Sequence, residues 1–313
     1  MTVLFGLRLG RWGLAGFTLT GFAWNLIQTV GFYQVVGHSA AERATFGASI
    51  ATLAARFTAL VPPPIQPETV GGYVEFRGFH ELAIIFSVWA LFAATGFARG
   101  DEERGIVEAS LAAGARRTAL VASRTGSFAI AILVASAASG AALGIGVASG
   151  GETVDPRRVI EVCALLVAIG LASYGVALLV AQLATARTAA ASAGIVLLAL
   201  FLLNSLSRSF PSLSTWRWLS PFRYDDLSQP LPPGGNFDLR GFAMLNLVAT
   251  VTVAAAAAAF ERRGKLRIHF GAQELDHSNS HQQVDGWVCL RLRATEARSQ
   301  EIGKYRLQFR VLA

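Results

Sequence analysis

Hydrophobic residues fall into six long runs along the chain, separated by shorter polar or charged stretches. A membrane-spanning helix needs about 20 predominantly apolar residues, and each run is close to that length. The pattern therefore predicts an all-α membrane protein with six transmembrane helices. The predicted spans are residues 12–36, 81–98, 125–148, 159–184, 188–206 and 241–260.

The charged stretch between the second and third runs has the features of a short helix. Asp101 is positioned to cap its start, Glu102 and Glu103 follow in the first turn, and Arg116 and Arg117 lie beyond its end, so the charges follow the helix dipole. Positions three and four residues apart form a small, mostly apolar face that would dock in a shallow groove. That face consists of Ile106, Val107, Ser110, Leu111 and Gly114. A solvated connector that only turns the chain around fits the spacing equally well.

Two segments outside the spans are amphipathic or aromatic. Apolar positions between Ala40 and Leu60 recur at helical spacing, which predicts an amphipathic helix at the membrane interface. The loop before the last span mixes Trp216, Trp218 and Tyr224 with arginines, a composition that suits the lipid headgroup layer. We interpret this loop as an aromatic anchor, with a lipid-facing gate as the alternative.

Basic residues in short loops indicate the orientation, because they favour the cytoplasmic side of a membrane. They cluster before the first span, around the charged stretch, after the fourth span and after the last: Arg8, Arg11, Arg99, Arg104, Arg116, Arg117, Arg124, Arg187, Arg262, Arg263, Lys265 and Arg267. Both termini are therefore expected in the cytoplasm of a multi-pass plasma-membrane protein. Six arginines lie in loops on the predicted outer side and weaken this charge difference between the two sides: Arg157, Arg158, Arg208, Arg217, Arg223 and Arg240.

Composition agrees with this class, since 53% of the residues are hydrophobic and only 15% are charged. The net charge of +7 would also suit a nucleic-acid partner, but arginines flanking membrane spans explain it more simply, and we expect no nucleic acid. A cleavable signal peptide at the start is disfavoured, because the first apolar run is longer than a typical signal core.

The sequence offers little chemistry of its own. Lys265 and Lys304 are its only lysines, and neither lies in a Gly-x-x-x-x-Gly-Lys-Ser/Thr phosphate loop, so we expect no ATP hydrolysis by this chain. We predict no catalytic residues and no metal site. Weak candidates for a substrate path are Asn25, Gln28 and Asn204 within the spans, with hydrogen bonding between helices as the alternative for Asn25 and Gln28.

Two motifs carry a family resemblance. The first is Gly100-Asp-Glu-Glu-Arg-Gly-Ile-Val-Glu-x-x-Leu-Ala-x-Gly114, flanked by spans, and the second is Trp218-Leu-Ser-Pro-Phe-Arg-Tyr224 followed by Gln229-Pro-Leu231. In this order they resemble the ABC-2 type permeases of actinobacterial-type ABC drug and antibiotic exporters, over about residues 1–267. Residues 268–313 form a polar tail of unassigned role, in which two strands are predicted at 287–293 and 305–310.

The resemblance implies a permease subunit that exports a hydrophobic drug, antibiotic or lipid. Its implied partners are a cytosolic ABC ATPase that binds ATP and Mg, a second permease copy or paralogue, and membrane lipids. The charged stretch would be a cytoplasmic coupling helix, carried by Asp101, Glu102, Glu103, Gly105, Ile106, Glu108, Leu111, Gly114 and Arg116. The alternatives are a non-transporting membrane scaffold for a cytosolic partner, or an ion-coupled secondary transporter.

Overall fold

The computed structural model describes residues 3–37, 39–56 and 62–279, with side chains up to residue 263. Every regular element in these ranges is helical. The elements are Val3–Leu9 (α1), Arg11–Val36 (α2), Ala40–Arg56 (α3), Val70–Glu103 (α4), Ile106–Ala112 (α5), Arg117–Ser149 (α6), Pro156–Leu183 (α7), Ala189–Leu206 (α8), Pro211–Ser214 (α9), Pro221–Asp226 (α10) and Leu239–Asn279 (α11). The chain divides into residues 1–261 and 262–313, and the sites discussed below lie in the first unit.

Five of the described helices are long and apolar enough to cross a membrane: α4, α6, α7, α8 and the part of α11 from Leu239 to Arg263. The first predicted span, residues 12–36, coincides with α2, a helix of 26 residues. Asn25, Gln28 and Gln34 lower its hydropathy, so α2 is not among the five. A sixth crossing therefore remains a prediction.

Helix α4 begins well before the predicted second span. Thr69 caps it, since its hydroxyl oxygen accepts a hydrogen bond from the Gly72 amide at 3.1 Å. Gly71 and Gly72 lie in the first turn of this helix. Their missing side chains allow a close approach, because a Cβ atom at Gly71 would lie 2.5 Å from the Leu231 carbonyl oxygen. Two π-helical stretches interrupt α4, at Glu75–Phe79 and Gly96–Gly100.

The core forms where α2 packs along α6 and α4 packs along α7. Glycines on α6 permit this approach: a Cβ atom at Gly146 would lie 2.6 Å from Cβ of Thr29 on α2, and one at Gly140 would lie 2.6 Å from Sγ of Cys163 on α7. A Cβ atom at Gly144 would meet no described atom within 4 Å. Close helix packing therefore uses some of the small residues of α6 and leaves others free.

Helix α3 starts with a capping box. The Glu42 amide donates to the Ser39 hydroxyl at 3.2 Å, and the Ser39 amide donates to Glu42 Oε2 at 3.1 Å. Arg43 ties the helix to the loop after α6 through an ion pair with Glu152 at 2.7 Å. A helix therefore occupies most of the predicted amphipathic segment. The two strands predicted in the tail lie outside the described residues.

Candidate functional site

The connector, defined here as residues 101–116, is a broken helix rather than the continuous one expected from the sequence. Helix α4 ends at Glu103, and Gly105 adopts a left-handed φ of +70° before α5 starts at Ile106. Gly114 has a φ of +87° after the end of α5. Glycine tolerates this backbone region and other residues rarely do, so the two glycines fix where the connector bends.

Asp101 does not cap a helix, because it continues α4 without a break. Its carboxylate forms an ion pair with Arg124 of α6, and both side chains are only 10% exposed. The Arg124 guanidinium also lies 5.7 Å from the ring centroid of Phe97 and 6.0 Å from that of Phe5. The charge that we assigned to capping instead fastens the start of the connector to the next long helix.

A second contact fastens the connector to α7. Arg99 pairs with Glu102 at 3.0 Å and donates from Nε to the Ala181 carbonyl at 3.0 Å, with a further hydrogen bond to the Ala184 carbonyl. These carbonyls lie at the end of α7, where helix carbonyls lack intrahelical partners. A displacement of the connector would therefore pull or push on both α6 and α7.

The apolar face of α5 is turned toward its own chain and not outward as expected. Val107 is 4% exposed and belongs to the hydrophobic core, and Leu111 packs against that core. The residues that remain exposed are small or charged: Glu103, Arg104, Gly105, Glu108, Ala109, Ala112, Ala113, Gly114 and Arg116. The surface available to a partner thus consists of small and charged residues, among them Glu108.

A cavity of about 270 Å³ lies beside the connector, between α1, α2, α4, α6 and α7. Part of its wall is aromatic: Phe128 contacts Trp89 at a centroid distance of 5.2 Å and stacks on Tyr174 at 4.6 Å. Trp89 also stacks at 4.7 Å on Phe17, which lies behind the wall. Trp89, Phe128 and Tyr174 line the cavity together with Asp101 and Arg124. Aromatic walls with few polar groups are typical of small-molecule sites.

One polar atom in this wall is unsatisfied. Arg124 Nε is buried and has no hydrogen-bond partner in the described part of the chain, although the guanidinium binds Asp101 through Nη2. A buried donor without a partner is unfavourable, so an acceptor group of a bound molecule would be stabilised there. No pattern in the sequence indicated this cavity, since its ring residues come from three separate helices.

The predicted path residues do not come together. Asn25 Nδ2 donates to the Ser139 carbonyl at 3.2 Å, and Gln28 Oε1 accepts from the Tyr73 hydroxyl at 3.4 Å. Both contacts join neighbouring helices, as in the alternative interpretation of these residues. Asn204 belongs to a different cluster.

That second cluster surrounds Asp226 at the end of α10. Asp226 Oδ2 accepts from Asn204 Nδ2 at 2.6 Å, pairs with Arg208, and lies 3.6 Å from Arg217 Nη2. Arg217 Nε also donates to Asn204 Oδ1 at 2.9 Å. Asn204 is thus held by an acid and a base on the loop before the last long helix.

A smaller cavity, of about 40 Å³, opens beside this cluster and is lined by Glu75, His80, Asp225 and Asp226 among others. Glu75 Oε2 accepts a hydrogen bond from the Leu231 amide at 2.6 Å. We missed Glu75 and His80 because the predicted second span started at Glu81, which left both residues in a loop. The acid pair Asp225-Asp226 directly after the aromatic Tyr224 was the available signal.

Within the described residues, no group of three His, Cys, Asp or Glu side chains is arranged to hold a metal ion. Residues 18–261 match the family model described as the C-terminal domain of the multidrug efflux system permease Rv1217c. This range starts within α2 and reaches into α11, so it includes the connector, the smaller cavity and the part of the aromatic cavity formed by α4, α6 and α7. No curated protein matches the chain.

Proposed function

This chain belongs to the family of the multidrug efflux system permease Rv1217c, C-terminal domain, and from this membership we propose that it is the membrane subunit of an ATP-driven ABC exporter of the ABC-2 type. Its apolar helices and its family make it a multi-pass membrane permease. The proposal adds the energy source. A separate cytosolic ABC ATPase binds ATP and Mg and drives transport by this chain.

The exposed patch of the connector is the observation that carries the proposal. Gly105, with a positive φ, separates α5 from α4, and Gly114, also with a positive φ, separates α5 from α6. Glu108 and small residues form the exposed surface of α5. Small side chains allow a partner backbone to approach closely, while Glu108 provides a charge for recognition. A solvated turn would not need the two buried attachments at Asp101 and Arg99.

Those attachments suggest how movement passes into the membrane. When the ATPase subunits close, they push α5, and the Asp101–Arg124 pair transfers the load to α6 while Arg99 transfers it to α7. The aromatic cavity shares Asp101 and Arg124 with the connector, so a change in the connector alters the cavity directly. We assign this cavity to a hydrophobic substrate that carries aromatic rings and a hydrogen-bond acceptor.

The remaining features of the proposal concern assembly. We propose six crossings including α2, both termini in the cytoplasm of the plasma membrane, and a dimer with a second copy or a paralogue. In the proposed dimer, α8 would contribute Ile195 and Leu198, which are exposed by more than half in the single chain. Lipid or a second permease would cover this surface.

Reconstitution with an ABC ATPase encoded beside this chain tests the proposal. Drug-stimulated ATP hydrolysis and drug export should both fall at least tenfold with Glu108→Lys or Gly105→Pro. The matched control is Glu161→Lys. This variant reverses the charge of a residue on α7, away from the connector, that pairs with the exposed Arg157 of the same helix. Equal activity of the connector variants and the control would overturn the coupling assignment, and export driven by an ion gradient without nucleotide would overturn the energy source.

A further inference from the structure

The small acidic cavity lies far from the connector, near the other end of α4. His80 lines this cavity and Asp101 starts the connector, and 21 residues of helix at about 1.5 Å each separate them by roughly 30 Å. The wall also includes the rings of Phe76 and Phe79, which lie in and at the end of the first π-helical stretch. Stretches of this kind are frequent at functional sites.

The acidic side chains around the cavity outnumber the arginines paired with them. Three carboxylates, Glu75, Asp225 and Asp226, face two arginines, and both arginines contact Asp226. No ion pair or side-chain hydrogen bond reaches Asp225 among the described residues. Burial, with a smaller contribution from the Asp226 charge, raises the pKa of Asp225 to about 8.

Two further arginines nearby do not supply the missing charge. Arg158 donates to the Pro232 carbonyl instead of a carboxylate. Arg223 forms no ion pair in the described ranges, and its Nε atom is buried without a partner. His80 Nδ1 lies 3.9 Å from Asp226 Oδ1, which is too far for a hydrogen bond. With all three carboxyls ionised, the site therefore holds one carboxylate more than the arginines paired with it.

An unsatisfied acceptor points into the same space. Asp226 is only 5% exposed, and its Oδ1 atom has no hydrogen-bond partner within the described chain, whereas Oδ2 binds Asn204 and Arg208. A buried carboxylate oxygen without a donor is strongly unfavourable. A positively charged ligand that donates to Asp226 Oδ1 would satisfy this oxygen and would also balance the extra carboxylate.

We propose that this cavity binds the protonated primary amine of a small molecule or of a lipid headgroup. An ammonium group supplies one positive charge and three N–H donors, which match the carboxylates of Glu75, Asp225 and Asp226. A bare proton would neutralise one carboxylate and leave Asp226 Oδ1 without a donor. The rings of Phe76 and Phe79 offer faces for the cation.

The size of the cavity fits this ligand. About 40 Å³ corresponds to roughly three water positions, enough for an ammonium group and its attached methylene but not for a drug-sized body. A larger amine would leave its remaining part outside the cavity. The site is separate from the aromatic cavity and from the connector, so its test does not depend on the proposed coupling to an ATPase.

Binding of radiolabelled methylammonium to the full chain in phosphatidylcholine nanodiscs tests the inference. Tetramethylammonium is the matched probe, because it has the same charge but no N–H donor. We expect methylammonium to bind at least tenfold more tightly than tetramethylammonium, and Asp225→Asn to weaken methylammonium binding at least tenfold. Glu161→Gln, which alters an acid outside the cavity, should leave binding unchanged.

Further measurements separate the two sources of the amine and protect against misfolding. Phosphatidylethanolamine in the nanodisc should compete with methylammonium if a lipid headgroup is the ligand, and should have no effect if a soluble amine is. Glu75→Gln provides a second neutral variant, and circular dichroism confirms that each variant is folded. Equal binding of the two probes, or unchanged binding in both folded variants, would overturn the inference, as would protonation of Asp225 with no amine bound at millimolar concentrations.

Discussion

Removing both partners of the Asp101–Arg124 pair should destabilise the protein by less than the sum of the two single removals. With Asp101→Asn, the Arg124 charge stays in a site where it is 10% exposed and loses its carboxylate. Breaking a buried pair in this way costs about 3–5 kcal/mol. Arg124→Gln leaves the opposite charge, although Arg104 also interacts with Asp101 and reduces the penalty.

The double variant places two neutral amides in the same space, where they can hydrogen-bond to each other. No uncompensated charge remains, so we expect the loss of the double variant to be smaller than the sum of the two single losses. Residues in direct contact typically show a coupling energy of about 0.5–3 kcal/mol. Burial of both side chains puts the expected value in the upper half of that range.

A double-mutant cycle measures this coupling. The free energy of unfolding is obtained from detergent titration in mixed micelles for the wild type, the two single variants and the double variant. Arg116→Gln is the control, because Arg116 is exposed on the same connector and should change stability by less than about 0.5 kcal/mol. Additive losses, with a coupling energy near zero, would refute the view that this pair fastens the connector to α6.

Three further predictions concern other parts of the molecule. Gly146→Ala should destabilise the protein by about 1–3 kcal/mol, because the new Cβ atom would collide with the stiff Thr29 side chain. Gly144→Ala should be neutral or stabilising by up to about 1 kcal/mol, because a Cβ atom there meets no described atom. Detergent titration of both variants compares their free energies of unfolding. Gly105→Ala should cost about 1–2 kcal/mol at its φ of +70° and lower drug-stimulated ATP hydrolysis, and full retention of both would contradict a fixed bend. Thermal stability should fall as pH rises from 6 to about 8, because folded Asp225 holds a proton that the unfolded chain has lost, and level off above that; Asp225→Asn should remove this slope.

Long apolar runs were enough to locate helices in all six predicted regions, because burial in the bundle or in lipid requires such runs whatever the packing. The start of α4 was harder to predict from the sequence. Glu75 and Arg77 interrupt the apolar run there, and the helix forms because Thr69 caps it and Leu231 packs on Gly71. Contacts between distant segments decide such boundaries, and a single sequence does not display them.

The connector shows the same limit at finer scale. Spacing identified a helix with one apolar face, but it could not tell whether that face would meet a partner or the rest of the chain. Val107 is buried in the core, so the face is satisfied internally. Asp101 was assigned to a cap because acids favour helix starts, and its true partner, Arg124, is 23 residues away in sequence.

The two π-helical stretches give α4 a mechanical property that a regular helix lacks. Each stretch holds one residue more per turn than an α-helix would accommodate, and one lies at each cavity. Converting a stretch to α-helical hydrogen bonding would turn the chain beyond it by about 100°. Torsion applied at Gly96–Gly100 would therefore rotate Asp101 relative to Trp89. A change in the hydrogen bonding of α4 would in this way change the shape of the aromatic cavity.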